Sequence, residues 1–345
     1  MPELGAGFYR DEQGGLYPSG LNTPPTSYLN ELNTMANQLA QEEELVVLGL
    51  GMSMMQNAMS GFTPFTNAAD INTALTVING AIGSNQQRWQ NPNSPVWNRG
   101  LEQLAAADLG PGDVDVILYH NAWSGPSLPF PEHPEMVKDS FAITMDIIAQ
   151  LYPNVQIIYL NSRHYGGWNP NSKAPEPWAY EEGWAVKWLI EERINGEIDT
   201  PLLAWMAYQW DSTWPESYFV ADGLHLSNEG KAASGALWDA HFRTSSYIAP
   251  WYLGQPIITP TPTAVPTNSP TPTPTATAVP TGTVNFSIAT AENNSGQETK
   301  MIQSNAPIIG EVVASFKAME AWWVWPKSLV RNVPNKAQSL KNSKF

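Results

Sequence analysis

The chain has 345 residues, 42% hydrophobic and 14% charged, which supplies enough apolar material for a sizeable core and excludes wholesale disorder. Seventeen basic against 32 acidic side chains give a formal net charge of −15, so binding to nucleic acid or to an anionic membrane surface is not expected. Cysteine is absent, which removes disulfides, thiolate metal sites and cysteine nucleophiles.

Met1-Pro2-Glu3-Leu4-Gly5 lacks a basic n-region and an apolar h-region, so no signal peptide is expected. No apolar run reaches the roughly 18 residues that a spanning helix needs, so no membrane insertion is expected. Residues 1–39 read as an N-terminal lead-in, with Gly14-Gly15-Leu16-Tyr17-Pro18 as loop. From residue 40 to 255, short apolar runs alternate with helical patterns. The runs at 45–49, 75–78, 114–119, 155–160 and 202–207 are nearly continuous in apolar character, as strands buried on both faces are. Between them, Phe141, Met145, Ile148 and Tyr152 step by 4, 3 and 4 residues along one helical stripe. Tyr180, Trp184 and Trp188 do the same before Gly196 ends their helix. A last helix follows Ser227 as N-cap, with Ala233, Leu237 and Ala240 expected inward. The alternation predicts an α/β fold: a parallel sheet of about five strands with helices on both faces.

Residues 256–281 hold eight prolines, nine threonines and no charge, the composition of an extended, semi-rigid linker. Beyond it the charge balance reverses. Residues 1–258 carry 10 basic and 28 acidic side chains, residues 282–345 carry 7 and 4. This C-terminal piece reads as a poorly ordered tail or a small module, with residues 308–325 as a candidate amphipathic helix. Acidic composition and a Thr/Pro spacer point to a bacterial extracellular or cell-surface protein.

Two places carry chemistry. The first strand runs into Gly49-Leu50-Gly51-Met52-Ser53, and in such sheets ligands sit beyond the carboxyl ends of the strands. A Gly-x-Ser turn also describes a phosphate-binding turn or an ordinary strand–helix junction, and Met54 stands where a dinucleotide fingerprint needs its third glycine. Among five histidines, His133 falls in a loop between prolines and acids and His241 late in a structural helix. His225 stands three residues after Asp222 in a glycine-containing turn. There the carboxylate can hold one imidazole nitrogen and aim the other outward, as a general base requires. The same residues also describe a turn stabilised by Asp222 with His225 at the surface.

In these residues the chain resembles the SGNH, or GDSL-like, hydrolases, serine esterases whose fold is a flavodoxin-like three-layer α/β/α sandwich around a central parallel sheet of about five strands. The matching blocks are Gly51-Met52-Ser53, Gly80-Ala81-Ile82-Gly83-Ser84, Tyr119-His120-Asn121 and Asp222-Gly223-Leu224-His225, in the family's order across residues 40–245. Met52 replaces the family's usual Asp, and His120 and Ala122 replace the Gly and Asp around the oxyanion Asn; Gly-Met-Ser nucleophile turns occur within this resemblance. The resemblance implies Ser53 as nucleophile, His225 as base and Asp222 as its orienting carboxylate. It implies an oxyanion hole from Ser53, Asn121 and a glycine, Gly83 being preferred to Gly80.

The polar segment 84–91 and the aromatic segment 162–180 are candidate cleft walls, and Met52, Asn85, His164 and Tyr165 are expected against the substrate. The implied reaction is hydrolysis of a carboxylic ester on a small molecule or carbohydrate, without metal or cofactor. The alternatives are a catalytically silent glycan-binding relative and an O-acyltransferase on the same fold.

Overall fold

The computed structural model describes residues 1–125, 128–170, 175–255, 286–292 and 298–304. The chain divides into two units, Met1–Thr263 and Ala264–Phe345.

The first unit is an α/β fold with a five-stranded parallel sheet between two helical layers. Its strands are β1 (Leu45–Gly51), β2 (Leu75–Asn79), β3 (Val116–His120), β4 (Ile157–Asn161) and β5 (Leu202–Trp205). Every expected run is a strand, with ends shifted by one or two residues. The sheet order is β2-β1-β3-β4-β5, every pairing being parallel. Chain direction across the sheet therefore reverses at β1, and the crevice between the carboxyl ends of β1 and β3 is the topological switch point where such sheets hold ligands.

β1, β3, β4 and β5 are buried along their whole length because both faces are covered. On one face Val47, Leu118, Tyr159 and Ala204 pack against α1 (Thr26–Leu39), α2 (Ser53–Phe62), α7 (Asn228–Thr244) and α8 (Ala249–Tyr252). On the other, Leu48, Ile117, Ile158 and Leu203 pack against α3 (Gln86–Trp89), α4 (Val96–Ala105), α5 (Glu132–Leu151) and α6 (Trp178–Asn195). Alternation along each strand feeds the two cores in turn. Tryptophan is chiefly filler: Trp89, Trp184, Trp205, Trp238 and Trp251 are fully buried.

Residues 1–39 belong to this core. Tyr28, Leu32, Met35 and Leu39 form the inward stripe of α1. Tyr17 is fully buried within the stretch expected as loop, its hydroxyl accepting the Trp205 backbone N–H. His133 is corrected too. It lies in the first turn of α5, buried against Glu182, because Glu132 and Glu135 favour a helix N-terminus.

The inward face of α7 also differs from expectation. Ser227 caps it as expected, accepting the Gly230 N–H. The buried residues are Gly230, Ser234, Gly235, Trp238 and Phe242, whereas Leu237 and Ala240 are exposed. The cause is the closeness of α2. A Cβ on Gly61 would overlap the Lys231 carbonyl, and one on Gly235 would overlap the Gly61 carbonyl, so at this crossing only glycine fits, while Trp238 and Phe242 fill the face further along.

In the second unit, Phe286–Glu292 pairs antiparallel with Glu298–Ser304. The 256–281 stretch and the candidate helix at 308–325 lie outside the described residues. The sequence-derived boundary carries an expectation. A chain ending at Gln255 should unfold at a stability within about 0.5 kcal/mol of the full chain in urea. A chain ending at Thr244 should not fold, because it removes the buried Trp251 and Tyr252.

Candidate active site

Gly51 ends β1 at φ 135°, a conformation open to glycine, and a side chain there would overlap the His120 carbonyl at the end of β3. This close approach turns the chain sharply, and Ser53 becomes the first residue of α2. Its N–H is one of the helix's unpaired amino-terminal donors. Met52 is buried with Met54, Ala122, Phe219 and Leu226, so the position that carries Asp in the resembled family packs here as an apolar anchor.

The Asp222–His225 turn approaches from the loop before α7. Gly223 takes φ 60°, and Asp222 Oδ1 accepts the N–H groups of Leu224 and His225 at 2.9 Å each. Its other oxygen stands 2.6 Å from His225 Nδ1, and His225 Nε2 stands 2.8 Å from Ser53 Oγ. Burial acts to raise the Asp222 pKa, but the hydrogen bonds from the His225 ring and the two backbone N–H groups outweigh it and hold the carboxyl below its usual value. Asn57 of α2 accepts the Leu226 N–H at 3.0 Å, tying the turn to the helix that carries Ser53.

A cleft of about 480 Å³ opens over these groups, within the size range of small-molecule sites. Met52, Ser53, Met54, Leu224 and His225 form one side of it. The segment after β2 forms another, where Gln86 and Trp89 are buried anchors and Gly83, Ser84, Asn85 and Arg88 line the cleft. Ser124 and Arg163 complete it. Of the two glycines weighed for the oxyanion, Gly80 donates its N–H to Gly49, whereas Gly83 lines the cleft and no backbone acceptor pairs with its N–H among the described residues.

Four sequence-derived candidates, Ser53, Met52, Asn85 and Gly83, thus meet His225 at one cleft, with Asp222 behind the imidazole. Three others lie elsewhere. Asn121 is buried beneath the cleft and donates its amide to the Tyr119 hydroxyl at 2.9 Å, because the buried hydroxyl at the end of β3 draws it inward. His164 is also buried. Its Nε2–H donates to the Leu224 carbonyl at 3.1 Å, and its ring stacks on Phe219, so it props the His225 turn from behind. Burial and then the neighbouring Arg163 charge hold its pKa well below the usual histidine value, so it stays neutral. Tyr165 packs edge-on against Trp168 and Trp210 and does not line the cleft.

Sequence reasoning missed Arg163 and Arg88. Arg88 lies in the segment read as polar cleft wall. Arg163 opens the segment after β4, where the aromatics drew attention away from a cation beside a buried strand end. Among the described residues no group of three or more His, Asp or Glu stands ready to hold a metal ion, and no helix is long and apolar enough to cross a membrane.

No protein-family model matches the chain, and no curated protein is significantly similar to it. Among solved structures it is similar to a candidate platelet activating factor from Streptococcus pneumonia, at 14% identity and TM-score 0.36, covering 61% of this chain and 91% of that one. A protein from Arabidopsis thaliana is similar at 13% identity and TM-score 0.35, covering 55% and 68%. A candidate acylhydrolase from Bacteroides fragilis is similar at 12% identity and TM-score 0.33, covering 61% and 93%.

Proposed function

We propose that the chain is a serine esterase of SGNH type that hydrolyses a carboxylic ester, with a small molecule or a carbohydrate as the alcohol. The observation that carries this reading is the continuous relay Ser53 Oγ to His225 Nε2 to Asp222 at 2.8 and 2.6 Å, opening on a cleft at the switch point of the sheet. In this reading His225 Nε2 accepts the Ser53 proton as Oγ attacks the acyl carbonyl. Asp222 fixes the tautomer and steadies the imidazolium. The tetrahedral oxygen takes hydrogen bonds from the N–H groups of Ser53 and Gly83. The third donor is the side-chain amide of Asn85, which lines the cleft, rather than Asn121, whose amide is bound to Tyr119. His225 then returns the proton to the leaving alcohol, and water cleaves the acyl-enzyme by the same steps reversed. The acidic composition and the Thr/Pro stretch support an extracellular or cell-surface setting in a bacterium.

The test pairs turnover with trapping. The protein should hydrolyse 4-nitrophenyl acetate and butyrate. A fluorophosphonate should add once, on the peptide containing Ser53, in step with loss of activity. Equal turnover by the native chain and Ser53→Ala, or labelling elsewhere, overturns the reading in favour of a silent binding relative. Acyl-sugar formed in excess of free acid, when a sugar acceptor is supplied, would move it to acyl transfer.

A further inference from the structure

Arg163 follows the end of β4 by two residues and is almost fully buried, 3% exposed, yet it lines the cleft that holds Ser53 and His225. Its Nε and Nη2 have no hydrogen-bond partner, and no carboxylate stands within ion-pair distance of it among the described residues. The nearby carboxylates are held by other donors. Glu182 Oε1 accepts from His133 and the Trp123 N–H while its Oε2 has no partner, and Glu176 accepts from Gly166 and Trp210. Neither adjacent histidine supplies an anion. His120 has two unpartnered ring nitrogens and its pKa is pushed by burial, then by Arg163, down to about 3, and His164 donates its Nε2–H to the Leu224 carbonyl.

A guanidinium cannot shed its charge in a protein, so an unpaired buried one is costly unless something completes it. The cleft adds a second cation, Arg88, at its exposed rim, and no Asp or Glu among its lining residues. This is a local reversal in a region with 10 basic and 28 acidic side chains.

We propose that Arg163 is the carboxylate-binding residue of this cleft, so that the preferred ester carries an acid group close to its scissile carbonyl. The planar fork of donors suits a carboxylate, and the buried position makes that pairing stronger than at a surface. The acid group would sit either on the acyl part, as in a half-ester of a dicarboxylic acid, or on the alcohol part, as in an acylated acidic sugar or hydroxy acid. The proposal rests on the esterase reading.

Two matched pairs of substrates separate the sources. Monoethyl and diethyl succinate place the charge on the acyl side, and 4-acetoxybenzoate and its methyl ester place it on the alcohol side. In the full chain, the anionic member of one pair should have a kcat/KM at least about tenfold above its neutral partner. Arg163→Gln should remove that preference, chiefly through KM, and Arg163→Lys should keep only part of it. A neutral preference in both pairs overturns the proposal. So does a preference that survives Arg163→Gln, or an equal loss on both members, which would mark an oxyanion donor or a structural residue. Should Arg163→Gln not fold, the wild-type preference and the Arg163→Lys ratio decide alone. A binding arm keeps the two readings distinguishable. By calorimetry, Ser53→Ala protein should bind the anionic member of at least one pair more tightly than its neutral partner, and adding Arg163→Lys should weaken only the anion. If no ester is turned over but this difference appears, the esterase reading fails and the carboxylate site stands. If esters are turned over and it does not appear, the carboxylate site alone fails.

Discussion

Combining Ser53→Ala with His225→Ala is expected to cost no more activity than either substitution alone. Each single change should lower kcat for 4-nitrophenyl acetate by about a million-fold, and the pair by the same factor, because the two residues act in one proton transfer. With the serine hydroxyl gone the imidazole has nothing to deprotonate. With the imidazole gone the hydroxyl keeps its proton. Asp222→Ala should cost less, about ten-thousand-fold, since His225 retains its contact with Ser53 Oγ and loses only the carboxylate that holds Nδ1 and two backbone N–H groups. The hydrolysis that remains in Ser53→Ala, His225→Ala and the double variant should be similar, being what the oxyanion donors and substrate binding supply without the relay. Multiplicative losses in the double variant would mean that Ser53 and His225 act in separate steps.

How far the sequence carries this far depends on what kind of interaction fixes each part. The five strands were readable because parallel strands covered on both faces are nearly unbroken apolar runs, and Val46, Leu48 and Ile117 have no polar neighbours to blur the signal. The helix α1 was not read, although Tyr28, Leu32, Met35 and Leu39 follow the same spacing that marks α5, because Asn30, Asn33 and Asn37 between them resemble turn chemistry. In α7 the apolar pattern pointed to the wrong side. A face built for close approach uses glycine and serine, which hydrophobic periodicity does not register.

The local parts of the site were legible for a related reason. The strand–Gly-x-Ser turn and the Asp-x-x-His turn are each set by residues within a few positions of one another. What lay beyond reach depends on distant groups. The direction of the Asn121 amide is set by the Tyr119 hydroxyl, which itself donates to Gln86 from another segment. The solitude of Arg163 follows from where His133 and Trp123 hold the Glu182 carboxylate through its Oε1. Neither is written in any short stretch of chain.

The same glycine seam that hid from the sequence should control catalysis. Gly235→Ala is expected to destabilise the fold by about 1–3 kcal/mol, because the added methyl meets the Gly61 backbone, which cannot swing aside as a side-chain end would. Gly61→Ala should do the same against the Lys231 carbonyl. The relief available is for α2 and α7 to move apart, and these helices carry the two halves of the relay. Ser53 begins α2, while His225 lies three residues before the first residue of α7. Their 2.8 Å contact is therefore set by the helix spacing, with the Asn57 bond to Leu226 as a further tie between α2 and the histidine turn. A displacement of about 1 Å at reacting groups can cost on the order of a hundredfold in rate, so each glycine variant should lose about that much kcat at temperatures where it remains folded. Ala236→Ser, on the exposed side of α7, should change stability by less than about 0.5 kcal/mol and leave kcat as it is. Urea unfolding and 4-nitrophenyl acetate kinetics on the same preparations give both quantities. A Gly235→Ala protein that is destabilised but fully active would show that the histidine turn holds its place without α7, and would shift the positioning role to Asn57 and His164.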